Sequence, residues 1–203
     1  KNCTFSAEFP FGKVQLEDEH YPVSVNIVGW SPFIPGNADD SCLPVAATEY
    51  TFINKTDKPL ETVFSFHSEA FLRPYHLDGG RQRVTRTDNG FMMEYIPPEG
   101  KEQHRGWFVI ESSEPATAVD PHWFRAPPWD HAEIRMIWHH VQNGELPERP
   151  ALAEEEEWQS RGGSMYMPVS IPAGGSRTVT IRFCWYVPDS DERYGPEDEP
   201  TPA

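Results

Sequence analysis

The sequence has 203 residues, with 32 acidic against 17 basic side chains and a formal charge of -15 at pH 7. That balance argues against nucleic acid and against anionic membrane surfaces, because both are recognised through basic faces. The 21 prolines and 14 glycines disfavour long helices, and 13% aromatic content does not fit a disordered chain. This length suits one all-β domain, since domains average about 150 residues and β folds often reach about 200. Such a domain buries enough surface to fold without metal or disulfides. No apolar run approaches the roughly 20 residues of a membrane-spanning helix, and no signal peptide is visible. The chain opens on Lys1, so the true N-terminus is expected upstream. Cys3, Cys42 and Cys184 lack zinc-ligand spacing. One pair could bridge, but the odd number favours free thiols in a reducing compartment, with the cytoplasm preferred. Asn2 and Asn54 head Asn-x-Thr triplets, a pattern too common to argue secretion.

In chain order, a weak strand pattern covers 3–9. Val23, Val25 and Ile27 then alternate with Ser24 and Asn26. A further weak pattern covers 43–53. The polar run 54–59 reads as a turn into a strand over 60–68, with Leu60, Phe64 and Phe66 on one side and Glu61, Ser65 and His67 on the other. Segments 90–96 and 105–111 are weaker strands. Asp130 begins a capping-box variant, and Ile134, Ile137, Trp138 and Val141 follow at helical spacing until Gly144. This predicts one helix of about three turns, packed on or beside the sheets. The turn 172–176 separates a strand at 169–171 from the clearest alternation, Val179, Ile181, Phe183, Trp185 and Val187. The fold class is therefore all-β: an antiparallel β-sandwich, supersandwich-like, with one short α-helix.

The predicted sandwich occupies 1–188, and an acidic, proline-rich linker or tail occupies 189–203. Residues 154–157 contribute four negative charges and the tail a net five, nine of the fifteen together. Both stretches read as solvated loop or linker.

Three constellations are candidates for chemistry. The first is the loop containing Trp30, Asn37, Asp39, Asp40 and Ser41, whose side chains can bond their own backbone. Its oxygens could hold calcium or sugar hydroxyls, but its glycine precedes the acids and the calcium-loop pattern is absent. The structural reading is preferred. The second is the histidine set His122, His131, His139 and His140. His131 and His139 fall about 80° out of register, and adjacent His139 and His140 diverge by about 100°. No metal or cofactor is expected. The third is the aromatic stretch carrying Trp123, Arg125 and Trp129. With His131 and Trp138, these are candidates for carbohydrate stacking or for a domain interface. Glu49 and Glu94 interrupt strand patterns, and such acids more often face solvent or meet an arginine. No carboxylate pair, nucleophile elbow or phosphate loop specifies a catalytic site.

The segments Phe9-Pro10-Phe11-Gly12-Lys13-Val14, Tyr21-Pro22-Val23-Ser24-Val25 and Glu49-Tyr50-Thr51-Phe52-Ile53-Asn54 form a series around the loop that runs from Gly29 to Pro44. The series resembles the N-terminal domain of glycoside hydrolase family 116. That family holds the bile-acid, or non-lysosomal, glucosylceramidases and the bacterial β-glucosidases. The most specific part is Ser31-Pro32-Phe33-Ile34-Pro35 with Asp39-Asp40-Ser41 and Leu43-Pro44. Gly163 to Pro168 and Phe183 to Pro188 are similar to the domain's last strands. The resemblance is carried by 8–68 and 162–188.

The resemblance implies a β-sandwich followed by an (α/α)6 catalytic domain acting on β-glucosides with retention. Both catalytic carboxylates would lie in the helical domain, so none is assigned here. The implied partners are that helical domain in cis and a β-glucoside substrate. The leading expectation is a non-catalytic supporting domain. The alternatives are a stand-alone carbohydrate-binding module, with Trp123, Trp129 or Trp138 exposed, or a chain catalytic in itself.

Overall fold

The structure, a computed structural model, describes residues 1–74, 77–115, 117–123, 132–149 and 161–189. Among these, eleven strands form two antiparallel sheets, as the alternation patterns predict. In spatial order the larger sheet holds β1 (Asn2–Glu8), β2 (Phe11–Glu17), β3 (Val23–Trp30), β4 (Val45–Asn54), β11 (Ser176–Tyr186), β8 (Gly106–Ser112), β7 (Gly90–Ile96) and β6 (Arg81–Arg86). The smaller holds β5 (Leu60–Glu69), β10 (Gly162–Ile171) and β9 (Ala118–Asp120). The tail from 190 lies outside the described residues.

The core lies between the sheets. Phe91, Met93, Ile110, Val179 and Ile181 meet Met165, Met167, Val169 and Ile171, all buried. Each such side chain contributes about 1.5–3 kcal/mol relative to exposure. Two approaches need glycine. A Cβ at Gly163 would stand 2.7 Å from the Phe91 ring, and at Gly162 it would stand 2.8 Å from Trp123. β10 is thereby pressed between the large sheet and the segment after β9.

β10 contains Pro168, which is unusual for a central strand. Ala70 N–H bonds the Arg161 carbonyl, and this register puts the odd-numbered β10 residues in hydrogen-bonded pairs with β5. Pro168 therefore faces the β9 side, where pairing stops at Tyr166. Its missing N–H costs no ladder bond, and β9 stays short.

The turns at 54–59 and 172–175 are clasped together. The Asn54 side chain is buried; its amide donates to Lys58 O (2.7 Å) and Pro172 O (3.0 Å). Its carbonyl oxygen accepts from Thr56 N (2.9 Å). Within the folded domain this Asn-x-Thr triplet therefore presents no free amide.

The weak pattern at 3–9 becomes β1, and 90–96 coincides with β7. β2, β6 and β9 were not predicted. β6 has a single apolar residue, Val84, and β9 has three residues, so neither carries a readable period. Pairing to neighbours creates them.

The predicted helix exists as α2 (Ala132–Asn143), following the short α1 (Ala38–Ser41), and Gly144 ends it at φ +64. Its expected N-cap, Asp130, lies outside the described residues. Its burial departs from expectation. Ile134 and Trp138 are 57% and 60% exposed, and Val141 is also exposed. The helix rests instead on the side carrying half-buried Met136, Ile137 and His140. Arg149 fixes this side, with Nη2 4.0 Å from Met136 Sδ and Nη1 donating to His122 O at 2.9 Å.

Candidate functional site

Strand directions gather the long connections at one end of the sandwich. Trp30 pairs with Ala47, Cys184 with Val45, Tyr186 with Trp107, and Tyr95 with Gly106. The ends of β3, β7 and β11 and the beginnings of β2, β4 and β8 therefore coincide. β5 also ends here, because Phe71 meets Phe108 edge-on at 5.0 Å. Phe108 stacks on Trp185 at 6.3 Å, and Trp185 N–H bonds Pro44 O at 3.1 Å. Phe9 sits edge-on to Phe33 at 4.6 Å. Phe9, Phe33, Ile34, Leu43, Phe71, Trp185, Tyr186 and Val187 are all exposed. This is far more clustered apolar surface than isolated surface residues account for.

The loop before β4 shapes one side of this end. Asn37 caps α1: its carbonyl oxygen accepts from Asp40 N (3.1 Å), and its amide donates to Asp40 Oδ2 (2.6 Å). Ser41 Oγ donates to Asn37 O (2.6 Å) and accepts from Ile34 N (2.9 Å). Asp39 O accepts from the Cys42 thiol, and the Trp30 indole N–H donates to Glu49 (3.0 Å). The loop polar groups bond mostly to the loop itself, which turns Phe33, Ile34 and Leu43 outward.

On the outer face of the large sheet, Glu94 is 1% exposed. Arg83 Nε donates to its Oε2 (2.6 Å) and Arg105 Nη2 to its Oε1 (2.6 Å). The Arg105 guanidinium also lies 4.9 Å over the Trp107 ring. Two fixed cations and one carboxylate make a rigid strut between β6, β7 and the start of β8.

The outer face of the small sheet buries a polar cluster that sequence reasoning did not single out. His67 Nδ1 meets Ser164 Oγ at 2.8 Å, and Nε2 meets Ser65 Oγ at 3.0 Å. The Trp123 indole N–H donates to the same Ser164 oxygen at 2.8 Å. Burial holds the His67 pKa down at about 4. Burial also raises Asp120, against the pull of the His122 N–H and Arg149. A serine beside a histidine suggests a nucleophile and base. Here Ser164 is inaccessible, and the second histidine nitrogen meets a hydroxyl, so no carboxylate supports an imidazolium. The cluster secures Trp123 over β10. Its legible trace is the polar alternation Ser65, His67 in β5.

Of the carbohydrate or interface candidates, Arg125, Trp129 and His131 lie outside the described residues. Trp123 is buried, so it offers no face for stacking. Trp138 is exposed on α2. Among the described residues, no three histidine, cysteine or acidic side chains come together as a metal site. Cys3, Cys42 and Cys184 are exposed free thiols. No helix among these residues is long and apolar enough to cross a membrane.

Over residues 1–198 the sequence matches the family described as beta-glucosidase 2, glycosyl-hydrolase family 116 N-term. The chain belongs to glycoside hydrolase family 116, as its N-terminal domain. No curated protein matches. A solved structure described as a kojibiose phosphorylase from human microbiome aligns over 90% of this chain and 18% of that one, at 8% identity and a TM-score of 0.45. This family 116 domain thus spans less than a fifth of that protein.

Proposed function

We propose that this domain is non-catalytic and supports an (α/α)6 catalytic domain that hydrolyses β-glucosides with retention, docking it on the aromatic end of the sandwich. The observation that carries this is the exposed group Phe71, Trp185, Tyr186 and Val187 at the end of β11, the last strand among the described residues. Clustered exposed apolar surface of this kind marks an interaction site. The buried polar sites described above support the non-catalytic role, since their acids and bases are locked by partners. The test is the longer hydrolase carrying Phe71→Asp and Trp185→Asp. We expect a lower melting temperature and loss of aryl β-glucosidase activity, while the 203-residue chain with the same changes keeps its circular dichroism melt. Unchanged activity and stability in the longer protein would remove this reading.

Exposed Trp138 favours a second reading, a carbohydrate-binding module. Titrating cellobiose against tryptophan fluorescence tests it, and no change at millimolar sugar excludes it.

A further inference from the structure

The large sheet is eight strands wide and the small one three, so with strands about 4.8 Å apart the inner face of β1–β3 overhangs the small sheet. Tyr50 and Phe52 of β4 meet Phe64 of β5 at 4.7 and 5.3 Å, and of β1–β3 Val23 alone packs against the buried core, so the cover that β5 provides runs out past β4. Beyond it lies an apolar groove of about 480 Å³, with Val23 and Val25 on one side and Leu60 and Thr62 on the other. It continues past Tyr21 into a second hollow of about 340 Å³ against Leu16 and Cys3. Phe5 and Leu16 point from the same inner face and are 70% and 40% exposed.

The wall of this groove is a strand edge. The register that bonds Ala70 to Arg161 turns the backbone of Glu61, Val63 and Ser65 away from β10. Among the described residues nothing bonds those N–H and C=O groups. The lining carries Glu17, Asp18 and Glu61 against a single base, Lys1. Asp18 Oδ2 is solvent-inaccessible and accepts no hydrogen bond, the Lys1 ammonium being 3.9 Å away.

We infer that this groove takes an extended segment of a partner polypeptide, with alternating apolar side chains and flanking lysine or arginine, which adds to β5 as a fourth strand. The open backbone edge selects a strand, the apolar floor selects period two, and the acidic rim selects basic flanks. A second copy pairing β5 with β5 is excluded by shape, because the overhanging β1–β3 of each copy would occupy the other's space. The groove lies on the side of the sandwich and does not depend on the docking of a catalytic domain at the aromatic end.

The test uses the 203-residue chain and a synthetic ten-residue peptide of alternating valine and threonine with a lysine at each end. We expect micromolar binding by fluorescence anisotropy, with slowed hydrogen exchange at Glu61, Val63 and Ser65. Val63→Pro removes an edge donor without touching the β10 ladder and should weaken binding at least tenfold. Leu16→Glu charges the floor and should do the same, which covers the case in which the proline variant fails to fold. A glutamate-flanked peptide should bind at least tenfold more weakly. Binding without protection of the three amides, or insensitive to Leu16→Glu, overturns the inference. So does dimerisation of the unliganded chain that Leu16→Glu abolishes.

Discussion

At the residue scale, three buried groups carry measurable consequences. His67 has a folded pKa near 4 against an ordinary value of 6.5. A depressed base binds its proton more readily in the unfolded chain, so its contribution to stability is complete above pH 6.5 and is lost as pH falls toward 4. The loss is on the order of 2–3 kcal/mol. Asp120, raised by burial, acts oppositely: it favours the folded state at low pH and loses that contribution as pH rises through its folded pKa. The His67→Gln variant should flatten the chemical-denaturation profile between pH 4 and 6.5. A slope equal to wild type would remove His67 as its origin. Glu94 is the converse case, a buried carboxylate held by two guanidinium groups. Glu94→Gln leaves two cations facing an amide and should cost about 3 kcal/mol in urea unfolding.

At the element scale, α2 is a helix that leaves Ile134, Trp138 and Val141 of its apolar stripe exposed. Twelve residues are marginal as a helix without tertiary support. We expect its amides to exchange several orders of magnitude faster than those of β10, which native-state hydrogen exchange will measure. Where a strand alternates, its burial was legible in the sequence. Val179 and Ile181 are buried as the period predicts, but Trp185 on the same face is exposed because β11 runs past the end of the small sheet. Period two reports which face a residue occupies, not whether another layer reaches it. The same limit explains α2, whose spacing gave the helix and its apolar face but not the partner of that face. Glu94 was legible as an interruption, although its two arginines come from β6 and the segment before β8. The His67 cluster was not legible, because its members are spread over three segments that only the small sheet brings together.

At the scale of the whole molecule, the structure separates two kinds of exposed apolar surface. The aromatic end is built from loops and strand termini and suits a folded domain. The side groove is built from an open strand edge and suits a single extended segment. Paired aspartates at Phe71 and Trp185 in the longer hydrolase should therefore disturb activity, whereas Leu16→Glu should leave it unchanged. The large sheet itself ends in two dissimilar borders. β6 shows Arg81, Arg83 and Arg86, while β1 has Glu8 as its only charge. Head-to-tail growth into a fibre needs one border to accept the other, and guanidinium-rich borders resist that joining. β1 against β1 is the remaining geometry, and it closes after two copies. The unequal charging of its borders leaves this sheet a route to a finite pair and obstructs the route to an endless one.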